Sequence, residues 1–165
     1  NEKDAQLLCR DNRVIVPPSK NYFFESVASH YIHSKKGWDD IHQNDLNVLE
    51  SVMSDRCDEY LPSFRKVMNG HRAHMLNMFI MPQCMLSDYC TWLFDILFEV
   101  ENRLSSREDQ TRYAGALSEF LLDIWIDHNG YEYYEVGIVE MEKISVMEKA
   151  FNIFNRKFII SKSSR

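Results

Sequence analysis

Five glycines and four prolines in 165 residues leave little material for sharp turns or phosphate-cradling loops. No glycine-rich nucleotide fingerprint of the P-loop or dinucleotide-binding kind can be spelled from them. The four cysteines, Cys9, Cys57, Cys84 and Cys90, show no C-x-x-C spacing, and two lie in apolar contexts. That pattern suits reduced thiols in a cytoplasmic protein rather than a disulfide framework. Basic charge is also scarce: 19 Lys and Arg against 25 Asp and Glu give a net charge of −6, which argues against a nucleic-acid binder. No apolar run approaches the ~20 residues of a membrane span, and no signal peptide is visible. What is plentiful is core material. With 45% hydrophobic and 13% aromatic residues, the chain is expected to form one globular domain over residues 1–165.

Local signals divide the chain into mostly helical pieces. Val14, Ile15 and Val16 ahead of two prolines read as a short strand, and residues 22–33 as an irregular helix. Asp40 with Gln43 three residues on predicts a capping box for a helix whose buried face is His42, Leu46, Leu49 and Met53. Pro62 suits a first helical position and Gly70 a position just past a helix end, so a short helix lies between them. Alternating aromatic and β-branched residues over 131–139 suggest a strand, and a last helix is expected over about 145–156. The whole reads as helix-rich α+β with two or three short strands.

The stretch 77–119 carries the most chemistry. Met75, Leu76, Met78, Phe79, Ile80 and Met81 leave no polar face before Pro82, which predicts a buried central strand. Asn77 would then be a buried amide, kept either to bond neighbouring backbone or to face a cleft. A helix over about 86–104 follows, apolar except for a stripe of Thr91, Asp95, Glu99 and Asn102, and is expected to be covered nearly all round. The next helix, about 109–128, is expected to bury Tyr113, Leu117, Phe120, Leu121, Ile124 and His128. On its other side Arg112, Gly115, Glu119, Asp123 and Asp127 fall along one line. That line is either a solvated charged face or a cleft wall. In the second case Gly115 lets a ligand approach, Arg112 meets phosphate or carboxylate, and Glu119 acts as a base or binds a hydroxyl.

Two H-x-x-H pairs, His30 with His33 and His71 with His74, have a spacing usable by a metal, but no cysteine pair or H-E-x-x-H accompanies them. No metal site is expected. No serine or cysteine nucleophile with a recognisable elbow is present either.

The residues His42 with Asp45-Leu46, Tyr60-Leu61-Pro62, Asn77-Met78-Phe79-Ile80-Met81, Tyr89-Cys90, Trp92-Leu93-Phe94, Ile96-Leu97, Arg112, Gly115, Ser118-Glu119, Leu121-Leu122 and Trp125 occur here in order. In this the chain, over residues 13–139, resembles the C-terminal half of a bacterial glycosyltransferase domain of capsular and exopolysaccharide biosynthesis, long catalogued as a domain of unknown function. The resemblance implies a parent domain of α/β, glycosyltransferase-A-like fold, whose opening half with its His-Tyr-Arg-Arg motif is not in this sequence; an Asp-x-Asp motif is missing too.

It further implies a nucleotide-sugar donor in the parent enzyme, no cofactor in this chain, and a saccharide acceptor, lipid-linked at the cytoplasmic face, in capsule, exopolysaccharide or lipopolysaccharide synthesis. Under it Glu119 is the catalytic carboxylate. Asn77 holds a sugar hydroxyl, Arg112 meets the leaving diphosphate or positions Glu119, Gly115 gives room, and His42 and Asp45 are further substrate-binding candidates. The histidines of residues 29–45 would then lie near a sugar or phosphate. The contrasting reading is a non-catalytic helical interaction module or a degenerate remnant of such an enzyme. In the C-terminal segment 145–165, Phe151, Phe154 and Phe158 sit beside Arg156, Lys157, Lys162 and Arg165. That segment suits either a peripheral contact with an anionic membrane or a docked helix with a solvated basic tail.

Overall fold

In the computed structural model, residues 13–33, 43–105 and 113–138 are described. Strand β1 (Val14–Val16) and strand β2 (Lys20–Asn21) lead into helix α1 (Val27–His33). Helix α2 (Gln43–Arg56), a single turn of 3-10 helix (Asp58–Tyr60) and helix α3 (Leu61–Asn69) follow, then strand β3 (Arg72–Ala73). The long helices α4 (Gln83–Arg103) and α5 (Tyr113–Asn129) precede strand β4 (Tyr133–Glu135). The fold is helix-rich α+β, as the sequence predicts, with four strands among the described residues instead of two or three. The extra two are two-residue pieces, β2 and β3, paired antiparallel with Lys20 opposite Ala73.

The buried faces of α2 and α3 follow their spacing. Leu46, Leu49, Val52 and Met53 of α2 are in the core, and Pro62 occupies the first turn of α3, where a missing N–H costs nothing. Gly70 ends α3 with extended rather than left-handed backbone. Its lack of a side chain matters for another reason, since a Cβ there would stand 3.1 and 3.2 Å from the carbonyl oxygens of Val67 and Lys66.

Helices α4 and α5 exchange the environments expected of them. α5 is the central helix, packed against α3 and α4, and buries Leu117, Phe120, Leu121, Leu122, Ile124, Trp125 and Ile126. On α4 the face of Met85, Tyr89, Leu93, Ile96, Leu97 and Val100 is buried, whereas Phe94 and Phe98 stack on each other at 5.7 Å and are 48% and 64% exposed. Its polar stripe is tied to α2 by ion pairs, with Arg56 reaching Asp95 at 2.8 Å and Glu99 at 2.9 Å. Arg103 adds contacts to Glu99 and Asp55, both at 2.8 Å.

The expected central strand at 75–81 is not one. Leu76 and Asn77 have φ of 125° and 50°, which breaks the extended run, and only Ile80 keeps a bridge, antiparallel to Ile15. Leu76, Met78 and Ile80 are about half exposed, so the apolar run marks an edge of the described structure. The pairing partner of β1 is β4, parallel to it, with Ile15 opposite Tyr134.

Candidate functional site

The segment following β3 runs antiparallel alongside α5 and meets it at two points. His74 lies against Asp123, and three residues later Asn77 lies against Gly115 and Ser118. The middle of the polar side of α5, the line from Gly115 to Asp123, is thereby met by polar groups on one neighbouring stretch of chain.

At the N-terminal end of that line the left-handed turn carries the geometry. A φ of 50° is within reach of asparagine, but 125° at Leu76 is a costly conformation for a side-chain-bearing residue, of order 1–3 kcal/mol. The turn aims the Asn77 amide at α5: Nδ2 donates to Ser118 Oγ at 2.8 Å and, more weakly, to Gly115 O at 3.4 Å. The Ser118 hydroxyl in turn donates to Gly115 O at 2.7 Å. Asn77 is therefore an exposed residue with a paired amide nitrogen, and not the buried strand amide expected. Among the described residues no donor reaches its Oδ1. Gly115 is exposed and a Cβ on it would meet nothing within 4 Å, so packing does not demand a glycine and the space beside it is open. Glu119 follows Ser118 directly and is half-buried.

Toward the C-terminal end the line is not a solvated face either. His74 is 6% exposed and held between two acids. Its Nδ1 is 2.5 Å from Asp123 Oδ1, its backbone N–H donates to Asp123 Oδ2 at 2.8 Å, and its Nε2 is 3.2 Å from Glu135 Oε1 on β4. Carboxylates only accept, so both ring contacts are hydrogen bonds when the imidazole carries two protons. Burial alone would lower the His74 pKa; the bonds and charges of Asp123 and Glu135 outweigh it and raise the value. Glu135 is held below the usual carboxylate range by the Ser19 hydroxyl and backbone N–H, with His74 adding to the effect. One turn further along α5, Asp127 pairs with Lys66 of α3 at 2.5 Å. An open groove of about 720 Å³ lies over these groups, between the end of α3, the stretch 70–74, α5 and residues 130–135.

The other candidates are placed as follows. Asp45 is buried in the first turn of α2, which packs against α3 and α4. Arg112, His42, the capping residue Asp40 and the segment 145–165 lie outside the described residues. The H-x-x-H pairs diverge. His30 turns inward, bonded to Glu25 at 2.7 Å and stacked on Tyr22 at 4.0 Å, so it is a core residue and not a sugar or phosphate contact. His33 Nδ1 reaches Ser29 O, and His71 Nδ1 reaches Glu25 O at 2.9 Å. Among the described residues no three metal-ligating side chains converge on one point. Cys57 is excluded as a neutral-pH nucleophile, because burial pushes its thiol up to about 11.

Sequence reasoning missed the His74–Asp123–Glu135 chain. Asp123 was visible as a member of the helical line and His74 as half of an H-x-x-H pair, but nothing in the spacing joins groups 49 residues apart.

Comparison with known proteins supplies the frame for this geometry. No curated protein matches the chain. Among solved structures, a WbbM bifunctional glycosyltransferase in its apo form superposes with a TM-score of 0.70 at 18% identity, over 83% of this chain. The match spans 25% of that chain, so the present sequence corresponds to about a quarter of its length. The likeness is one of fold: the helix-rich arrangement resembles a part of that structure. No helix among the described residues is long and apolar enough to cross a membrane. Residues 1–130 match the family described as Domain of unknown function (DUF4422), and the chain belongs to that family.

Proposed function

We propose that this chain is the acceptor-side part of a glycosyltransferase that moves a sugar from a nucleotide-sugar to a saccharide acceptor in capsular, exopolysaccharide or lipopolysaccharide synthesis. The observation that carries this reading is the strained turn at Leu76 and Asn77, which fixes the Asn77 amide nitrogen on Ser118, the residue before Glu119 in the sequence, and on Gly115, beside which there is open space. Strain of this kind persists where surrounding structure holds it, and functional sites are where it collects. The likeness in fold to part of a glycosyltransferase supports the same assignment.

In this reading Glu119 is the carboxylate that takes the acceptor hydroxyl's proton in an inverting transfer, or stabilises positive charge on the sugar ring in a retaining one. Asn77 Oδ1 accepts a hydrogen bond from a sugar hydroxyl while Ser118 fixes the amide's orientation. Arg112, three residues before Gly115 in the sequence, meets the leaving diphosphate, a task suited to its fork of donors. His42 is a further substrate contact, whereas Asp45, expected to be one, is buried at 1% exposure and is left with a structural role. The acceptor is lipid-linked and presented at the cytoplasmic membrane face, with the basic 145–165 segment as the surface contact.

The test is transfer itself. The complete protein is incubated with a panel of nucleotide-sugars and membrane-derived acceptors, and nucleotide release and saccharide extension are followed. Acceptor-dependent nucleotide release with one donor supports the reading. No donor consumption by a folded, complete protein would contradict it and favour a non-catalytic interaction module.

A further inference from the structure

The groove beyond His74 takes no part in the transfer step outlined above. We propose that it is a subsite for a neutral saccharide, namely a stretch of acceptor chain lying beyond the reacting sugar; this rests on the glycosyltransferase reading for its biological meaning.

Charge balance points to a neutral ligand. Lys66, Arg72 and a protonated His74 face Asp123, Asp127 and Glu135 across the groove, three against three. Lys66 is already held by Asp127, and His74 by two acids. Among the described residues lining the groove only Arg72 is left without an acid partner, so a phosphate would find that one guanidinium and face three carboxylates, whereas a hydroxyl can donate to a carboxylate and accept from a guanidinium without disturbing either. The polar groups are also fixed in advance. Glu135 Oε1 is oriented by Ser19 N–H at 3.1 Å and by His74 Nε2, and Arg72 donates to Ser19 Oγ at 3.1 Å.

An apolar surface accompanies them, as the C–H face of a sugar ring requires. Tyr133 is 48% exposed and stands edge-on to His74 with centroids 4.8 Å apart, so the buried histidine sets the angle of an open aromatic ring. The volume of about 720 Å³ falls within the roughly 300–1,000 Å³ of small-molecule sites. Helix α5 carries both the acids of the groove and Glu119 of the proposed transfer end. Asp123 and Asp127 lie one and two turns beyond Glu119 on α5, about 6 and 12 Å along the helix, on the scale of linked sugar units.

The full chain is titrated, by ligand-observed NMR, with methyl glycosides and disaccharides of glucose, galactose and mannose, and separately with inorganic diphosphate. Saturable binding of at least one neutral glycoside is expected. Tyr133→Ala and Glu135→Gln should each weaken it about tenfold, the scale of one lost hydrogen bond or ring contact, in variants that remain folded at the assay temperature. Glu119→Gln should leave this binding intact, so loss of transfer and loss of groove binding are read separately. The proposal is overturned if no neutral glycoside binds, if binding survives both groove substitutions, or if those substitutions remove diphosphate binding instead.

Discussion

The side-chain amide of Asn77 lies 2.8 Å from the hydroxyl oxygen of Ser118, joining a left-handed turn to the central helix across 41 residues of sequence. The bond does two things at once. It helps to hold the positive-φ backbone at Leu76 and Asn77, and it leaves the amide oxygen without a donor among the described residues.

Asn77→Gly separates those roles. Glycine accepts a φ of 50°, so the variant should lose no more than about 1 kcal/mol, the net worth of an exposed hydrogen bond. Asn77→Val should lose more, because a β-branched residue is strained at positive φ. Both should depress sugar transfer in the complete enzyme to a similar degree. Denaturant melts and turnover measured on the two variants check this, and full activity in Asn77→Gly would remove the amide from the site.

His74 makes stability depend on pH. Its folded-state pKa is raised, so the folded protein binds the proton more tightly than the unfolded chain. The stabilisation is fully present below the unfolded value of about 6.5 and is lost as pH rises through the folded value. The melting temperature of the wild type should therefore fall relative to that of His74→Gln as pH rises above about 6.5. Parallel pH profiles for the two proteins would show that His74 is not protonated between its acids.

Helix registers were legible because burial repeats at 3.6 residues. Leu117, Phe120, Leu121 and Ile124 face inward as their spacing says, as do Leu46, Leu49 and Met53. The turn at 76–77 was not, since an unbroken apolar run looks like a strand and positive φ at a leucine leaves no trace in residue type. Exposure of Phe94 and Phe98 was equally hidden, because periodicity shows which faces are apolar but not what covers them. At the site, the line Gly115, Glu119, Asp123 and Asp127 was readable as a line. Its engagement by His74 and Lys66 depends on tertiary neighbours that no local pattern encodes.

Glu99 accepts from Arg56 and Arg103, and both arginines also reach acids at the surface. Exposed pairs of this kind are screened by salt. Glu99→Gln should lower the melting temperature modestly in dilute buffer, and the difference from wild type should close at about 1 M salt. A deficit unchanged by salt would assign Glu99 to packing between α2 and α4 instead.

The most direct test of the central claim is the turnover of Glu119→Gln in the complete enzyme, measured as donor-sugar transfer to a saccharide acceptor. The substitution keeps the side chain's shape and its hydrogen-bonding capacity but removes charge and basicity. A turnover lower by about 10²–10⁴-fold, with an unchanged melting temperature, is the predicted result. Wild-type turnover in the purified variant would contradict the account.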